Sequence, residues 1–444
     1  MHEAAESIET LSWLIETREA DRLAPNEVLK AWDTESPRQR FDLLSELPVE
    51  LSLHILDYIS VVDLSLRVSF VCRTWNELAQ DGWLWRRFVV PENAIFRPRK
   101  LLSISHKLQN VRHLDLTSPS KLSAKDLEPI FPFLTSLNRL QAGFVDDLTP
   151  RCVQIITKNC PHLEHVNLEG CAHVTNRTLL LLKSLVLKSL NLSHCTEIGE
   201  DDLIDLIKNQ PKLTYLNVDG IPWTSVQLCS VLKERPLVFL HLDGAEMEDD
   251  CLECVSHCRK LENLSISFCE EMSDAGLLSL SSLRCLKSLR LKKGFGFSSY
   301  GFTSLFWPWE NGPGMQMTCL HLTECTAVDD QVVAIMATCF LNLRLLDLAW
   351  CWEITDAGVA SIVQNLRHLE QFNACGLNRI IGIPFSNIPN QLPKLKLLDC
   401  RQCHSVQDPI LYQIASLMPQ LTIIDYYDDV IDGSAWKTRL ASET

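Results

Sequence analysis

The pattern L-x-x-L-x-L returns from residue 111 onward at nearly constant spacing, and this return governs what the chain can fold into. Its first positions are Val111, Leu137, Leu163, Leu187, Leu213, Leu237, Leu261, Leu286, Met317, Leu343, Leu369, Leu395 and Leu421. They lie 26, 26, 24, 26, 24, 24, 25, 31, 26, 26, 26 and 26 residues apart. The chain holds 73 leucines in 444 residues, and the spacing shows that the excess is architectural. In each unit an apolar strand pattern is followed by a polar turn and a helical segment. Met272-Ser-Asp-Ala-Gly-Leu277 and Ile354-Thr-Asp-Ala-Gly-Val359 show the device: Ser273 and Thr355 can cap a helix whose first turn carries an acid. Leu203, Leu206 and Ile207 then follow helical spacing. One strand and one helix cannot bury each other alone, so the units must stack into a solenoid. With neighbouring strands about 4.8 Å apart, twelve steps predict a spine of roughly 60 Å.

Cysteine usage agrees with this period. Cys171, Cys195, Cys269, Cys325, Cys351 and Cys403 each sit eight residues after a strand start, and Cys160, Cys258 and Cys339 close the preceding helix. A stacked turn takes a small, buried, weakly polar side chain, which free cysteine supplies. Period and cysteines together resemble the cysteine-containing leucine-rich repeats, over about three quarters of the chain. The expected fold is α/β: a curved solenoid with a parallel sheet on its concave face, over residues 111–427, with a tail at 428–444.

Composition narrows the function classes. Hydrophobic residues make up 46% and charged residues 22%, which suits a globular chain. The net charge of −15 argues against a nucleic-acid or anionic-membrane binder, which needs clustered cations. Eighteen cysteines could signal disulfides, but the start MHEAAESIETLSW lacks the charged and apolar regions of a secretory leader. Free thiols in a reducing compartment, cytoplasmic or nuclear, are therefore expected. No uncharged run reaches the length of a spanning helix. The triplets at Asn176, Asn191 and Asn263 are read as chance matches to the glycosylation pattern. Residues 1–46 hold eleven acids against five bases and form an acidic arm, with Leu11, Leu14 and Ile15 at helical spacing. Residues 424–444 add five acids against two bases, which leaves −6 for everything between.

Residues 47–92 read as a separate helical unit, and 93–110 as a linker or capping helix. Leu47-Pro48 opens a helix with Leu51, Ile55 and Ile59 on one stripe. Asp63 can cap a second helix, and Val71, Trp75 and Leu78 mark a third. The Leu-Pro opening, the Asp63-Leu64 pair, Val71-Cys-Arg-Thr-Trp75 and the closing Trp83-Leu-Trp85 resemble the F-box over about 44 residues. The resemblance implies a non-catalytic substrate receptor of a cullin–RING (SCF-type) ubiquitin ligase, docking onto the small S-phase-kinase-associated adaptor. The contact set it implies is Leu47, Pro48, Leu51, Ile55, Leu56, Val71, Cys72 and Trp75, with Trp85 near the seam to the repeats. The alternative for Ile55 and Trp75 above all is that they fill the unit's own core.

A substrate face follows from strand geometry. Positions 3, 5 and 7 of each unit point away from the leucines. They comprise His165, Asn167, Glu169; Ser189, Asn191, Ser193; Tyr215, Asn217, Asp219; Phe239, His241, Asp243; and Asn263, Ser265, Ser267. Glu169, Asp219 and Asp243 make an acidic stripe, after which Arg284, Lys287, Arg290, Lys292 and Lys293 put five cations into ten residues. A solvated surface competes with an anion or phospho-motif role for Arg290 and Lys292. The one long spacing holds Gly294–Phe302 and Phe306–Gly314, with seven aromatics, five glycines and two prolines. Insertions often map to the binding face, so Phe297, Trp307 and Trp309 are candidate anchors beside Tyr215, Phe239 and His241; packing under a longer loop is the alternative.

Cys251, Cys254, His257 and Cys258 superficially resemble a zinc set, but one helical half-repeat supplies them all, so no metal and no cofactor is expected. No phosphate-cradling loop, nucleophile elbow or H-E-x-x-H motif occurs. Two other roles compete with a degradative receptor: a scaffold or inhibitor that binds without ubiquitylation, and a receptor gated by a small ligand.

Overall fold

The computed structural model describes residues 47–90, 102, 105–117, 124–221, 224–309 and 316–431. The acidic arm and most of the C-terminal tail lie outside them. Among the described residues fifteen strands form one sheet whose spatial order is the order of the chain. Thirteen of them, from His113–Asp115 to Thr422–Ile424, fall at the thirteen positions set by the leucine period. Each pairs in parallel with the next. Val430–Ile431 turns back antiparallel and caps the last of them. Helices or 3-10 turns on the opposite layer link successive strands, as stacked strand–helix units require.

Three devices lock each turn to its neighbour. An Asx side chain in the strand holds the turn two residues on: Asn191 Oδ1 accepts from Ser193 N–H at 3.0 Å, and Asp347 and Asp425 do the same for Ala349 and Tyr427 at 2.9 Å. Next comes a left-handed residue. Phe144, His194, Phe268, Lys293, Glu324, Trp350, Gln402 and Asp428 have φ between 56° and 73°, and Gly170, Gly220 and Gly376 occupy the same place. This conformation costs about 1–2 kcal/mol for a side-chain-bearing residue. The strain is offset because its N–H reaches the next repeat, as in His194 to Asp219 O at 2.9 Å and Trp350 to Cys375 O at 2.8 Å. The cysteine comes third. Cys171, Cys195, Cys351 and Cys403 donate to carbonyls of the preceding repeat at 2.9–3.1 Å. None of the eighteen cysteines is joined in a disulfide.

The helix layer has its own ladder. Ser273 and Thr355 cap their helices as expected, accepting from Ala275 and Ala357 N–H at 3.2 Å. Their hydroxyls in turn donate to Asp249 and Asp330 of the previous helix, at 2.5 and 2.6 Å.

Residues 47–90 form three short helices, α1 (Val49–Leu56), α2 (Val61–Leu66) and α3 (Arg73–Ala79). The cap of α2 is Ser60 rather than Asp63: the Ser60 hydroxyl accepts from Asp63 N–H at 3.1 Å, and Asp63 sits inside the first turn. The segment ends in the strand Arg87–Val89, which pairs in parallel with His113–Asp115. One continuous hydrophobic core runs from Leu56 to Ile431. The three-helix unit is thereby a lid on the solenoid's first edge, where an open strand would invite unwanted pairing.

Candidate functional site

Two surfaces stand out. On the three-helix unit, Leu51 is 52%, Val71 59% and Phe70 79% exposed. Pro48, Val49, Tyr58 and Cys72 are exposed too, while Leu47, Ile55 and Trp75 are half-buried. Such a cluster on a unit of about forty residues marks a partner site. Its rigidity comes from below. Trp85 is buried, its indole N–H donating to Ala79 O at 2.9 Å with the Lys107 ammonium 4.6 Å from the ring. Cys72 Sγ accepts from Trp75 N–H at 3.5 Å and caps α3. Leu56 and Trp85, both expected as contacts, are core residues here, because α1 turns Leu56 inward and the strand at Arg87 draws Trp85 under the repeats.

On the concave wall the strands alternate as period 2 demands, with Leu216 and Leu240 buried and Tyr215, Phe239 and His241 facing out. The Tyr215 ring lies 5.8 Å from Phe239 and 6.0 Å from His241. Burial lowers the His241 pKa, the Arg290 charge adding to the effect. The acidic stripe is weaker than its residues suggest. Asp243 is buried and burial raises its pKa, while Asn191 and Ser193, also expected to face out, are buried in the turn. Glu169 and Asp219 remain half-buried.

Three of the five clustered cations are neutralised across repeats. Lys287 meets Glu262 at 2.8 Å, Lys292 meets Glu324 at 3.6 Å and Lys293 meets Glu270 at 3.8 Å. Arg290 points instead to His321, with Nη2 3.2 Å from Nε2. The buried aromatics of the long repeat lie away from the wall. Phe297, Phe302, Phe306 and Trp309 pack with Phe340 in the helix layer. Trp309 is fully buried and donates its indole N–H to Ser281 O at 3.2 Å, whereas Trp307 is 65% exposed. The described part of this repeat is a helix with a 3-10 end, Ser299–Phe306 and Trp307–Trp309, and the strands on either side stay paired; residues 310–315 lie outside the described residues. Phe297 and Trp309 are therefore core residues and not anchors.

Comparison with known proteins agrees with this geometry. An F-box-like family model matches residues 44–91, and a leucine-rich-repeat model matches 257–281 and 341–363. F-box/LRR-repeat protein 12 of Mus musculus and that of Homo sapiens are each 26% identical over 331 residues, 71% of this chain and 91% of theirs. The chain joins an F-box-like unit to leucine-rich repeats. F-box protein SKIP1 of Arabidopsis thaliana shares 24% over 238 residues, 53% of this chain and 73% of its own. One chain in the crystal structure of the Rad7 and Elc1 complex in yeast has the same fold. It matches with a TM-score of 0.56 at 14% identity, covering 95% of this chain and 96% of that one.

For this F-box-like and leucine-rich-repeat chain the sequence pattern missed Val49, Tyr58 and Phe70 on the helical unit. Their exposure follows from the loops that flank α1 and α3, which carry no periodic signal. Also missed were Cys319, His321 and Asp347 of the repeat wall. The first two sit at alternate strand positions, a signal that was available, but Asp347 joins them only through strand register. The Cys251–Cys258 segment brings no metal set together: among the described residues no three ligating side chains converge. No described helix is long and apolar enough to cross a membrane.

Proposed function

We propose that this chain is the substrate-recognition subunit of an SCF-type ubiquitin ligase. The exposed apolar set around Leu51, Phe70 and Val71 docks on the S-phase-kinase-associated adaptor, which joins it to the cullin–RING core. The repeat wall holds a protein substrate, acidic or phosphorylated where Arg290 meets it, for ubiquitylation and proteasomal degradation. Tyr215, Phe239 and His241 supply its aromatic contacts, and the complex works in the cytoplasm or nucleus. The chain adds no chemistry of its own to ubiquitin transfer; it raises the effective concentration of substrate at the charged enzyme.

The observation that carries this reading is the shared core and sheet joining the helical unit to the arc. A flexible joint would dilute the tethered substrate over a large volume, whereas one continuous sheet holds it at a set distance and angle from the adaptor. The test is to replace Leu47 and Pro48 together by alanine, capture partners of the wall, and follow their half-lives. Partners that still bind but persist longer support the proposal. Partners whose half-lives do not respond to the double substitution would overturn it in favour of a non-degradative scaffold.

A further inference from the structure

Cys319 and His321 lie two residues apart on the strand Cys319–His321, so both side chains leave the same side of the sheet. Register sets Asp347 beside His321 on the following strand, and Arg290 beside it on the preceding one; Ser288 stands beside Cys319. His321 Nδ1 is 3.3 Å from Asp347 Oδ2, and its Nε2 is 3.1 Å from Cys319 Sγ and 3.2 Å from Arg290 Nη2. A proton on Nδ1 is donated to Asp347, which leaves the Nε2 lone pair to take the thiol proton. Once it does, the imidazolium of His321 sits between the negative charges of Asp347 and Cys319, with the Arg290 guanidinium against Nε2 as a second positive charge. A nucleophile, a base that can take its proton and a carboxylate that orients the base form the arrangement that activates thiols. Here it stands on an open wall, with Cys319 half-buried and therefore reachable.

We propose that Cys319 is a nucleophilic thiolate that captures soft carbon electrophiles of the α,β-unsaturated carbonyl class. Sγ attacks the β-carbon, the π pair of the C=C bond moves toward the carbonyl to give an enolate, and the Nε2 proton of His321 ends on the α-carbon. Thioether and neutral imidazole result, with no oxidant or co-reactant needed.

The surroundings favour ionisation at this cysteine. Burial works against the charge, but hydrogen bonds from His321 and Ser288, with the fields of His321 and Arg290, outweigh it and lower the Cys319 pKa. At His321 burial and the Arg290 charge are outweighed by Asp347 and Cys319, and its pKa is raised. Asp347 is held below its usual value against burial by His321, the Ala349 N–H and Asn373. The repeat-turn thiols behave in the opposite way: burial pushes Cys195 and Cys403 up to about 12. They are packing groups, and Cys319 differs from them in kind.

The test is brief labelling of the native full-length chain with N-ethylmaleimide at pH 7, read cysteine by cysteine by peptide mass spectrometry. Exposed Cys285 is the reference within the same chain. An ordinary thiol is a few per cent ionised at pH 7. A larger thiolate fraction, less the nucleophilicity lost with basicity, predicts that Cys319 labels about three-fold faster than Cys285. His321→Gln should slow Cys319 about ten-fold and leave Cys285 unchanged. Labelling of Cys319 at or below the Cys285 rate in the native chain would overturn the proposal, as would indifference to His321→Gln. If that variant does not fold, the pH profile of the native chain decides: a Cys319 midpoint below about 8.5 supports the thiolate, and one at or above it removes it.

Discussion

Replacing Leu51 and Val71 together by alanine strips two apolar side chains from the helical unit without opening its core. Complete burial of a Leu or Val side chain contributes roughly 1.5–3 kcal/mol. Leu51 is 52% and Val71 59% exposed, so covering what the free chain leaves open is worth about 1–1.5 kcal/mol for each. The pair loses about 2–3 kcal/mol, and at 1.4 kcal/mol per factor of ten the adaptor should bind on the order of thirty-fold more weakly or worse. Exposed positions seldom change stability by more than about 0.5 kcal/mol, so the melting temperature should hold. Leu56→Ala supplies the contrast: the side chain is buried, and its loss should cost about 2–5 kcal/mol of stability. Titration calorimetry of the purified chain against the adaptor, with thermal melts in parallel, separates the two effects. A double variant that melts normally and binds within three-fold of the native chain would refute the assignment of this surface.

Three further outcomes follow from the fold. Trp309→Ala empties a site enclosed by Phe306 and Phe340 and should cost about 3–5 kcal/mol in denaturant unfolding; a loss under 1 kcal/mol would mean that the cluster is not packed. Gly376→Ala places a Cβ 2.5 Å from the Trp350 ring at φ +72°, so about 1–3 kcal/mol is expected. Adding Trp350→Ala should recover the steric part of it, measured as non-additivity in a double-mutant cycle. The Asp347–His321 pair makes stability depend on pH. The raised His321 pKa contributes fully below about 6.5 and is lost as pH climbs through the folded value, and the depressed Asp347 pKa contributes above about 3.9 and is lost on acidification through its folded value. Asp347→Asn should therefore destabilise more at pH 5.5 than at pH 9, and equal losses at both would contradict the pairing.

Much of the arc was legible because its determinants are local. Leucines on alternate strand positions recur with the unit, a Ser or Thr precedes many of the helices and a cysteine follows six of the strands, and all thirteen strands appear where that period places them. The turn chemistry was legible in principle. Asn167, Asn191 and Asn217 fall at one position of the unit, but their side chains hold the backbone where a binding role was expected. Site residues were harder. Leu51 and Val71 are exposed, but Leu56, one turn on from Leu51, is not, and helical spacing alone leaves open which stripe meets solvent when a unit has neighbours on two sides.

Period and residue type by themselves determined the unit, its count and its direction of growth, because strand, turn and cap each depend on residues within one repeat. Only the tertiary structure decided what crosses between repeats. It sent Phe302, Phe306 and Trp309 into the helix layer, where they close on one another and on Phe340. It paired Lys287, Lys292 and Lys293 with carboxylates 23 to 32 residues away in sequence, so a cationic run became mostly neutral. It also brought Arg290, Cys319, His321 and Asp347 into one cluster. Parallel register, a property of neighbouring strands together, sets which side chains stand about 5 Å apart across the sheet, and no single repeat contains that information.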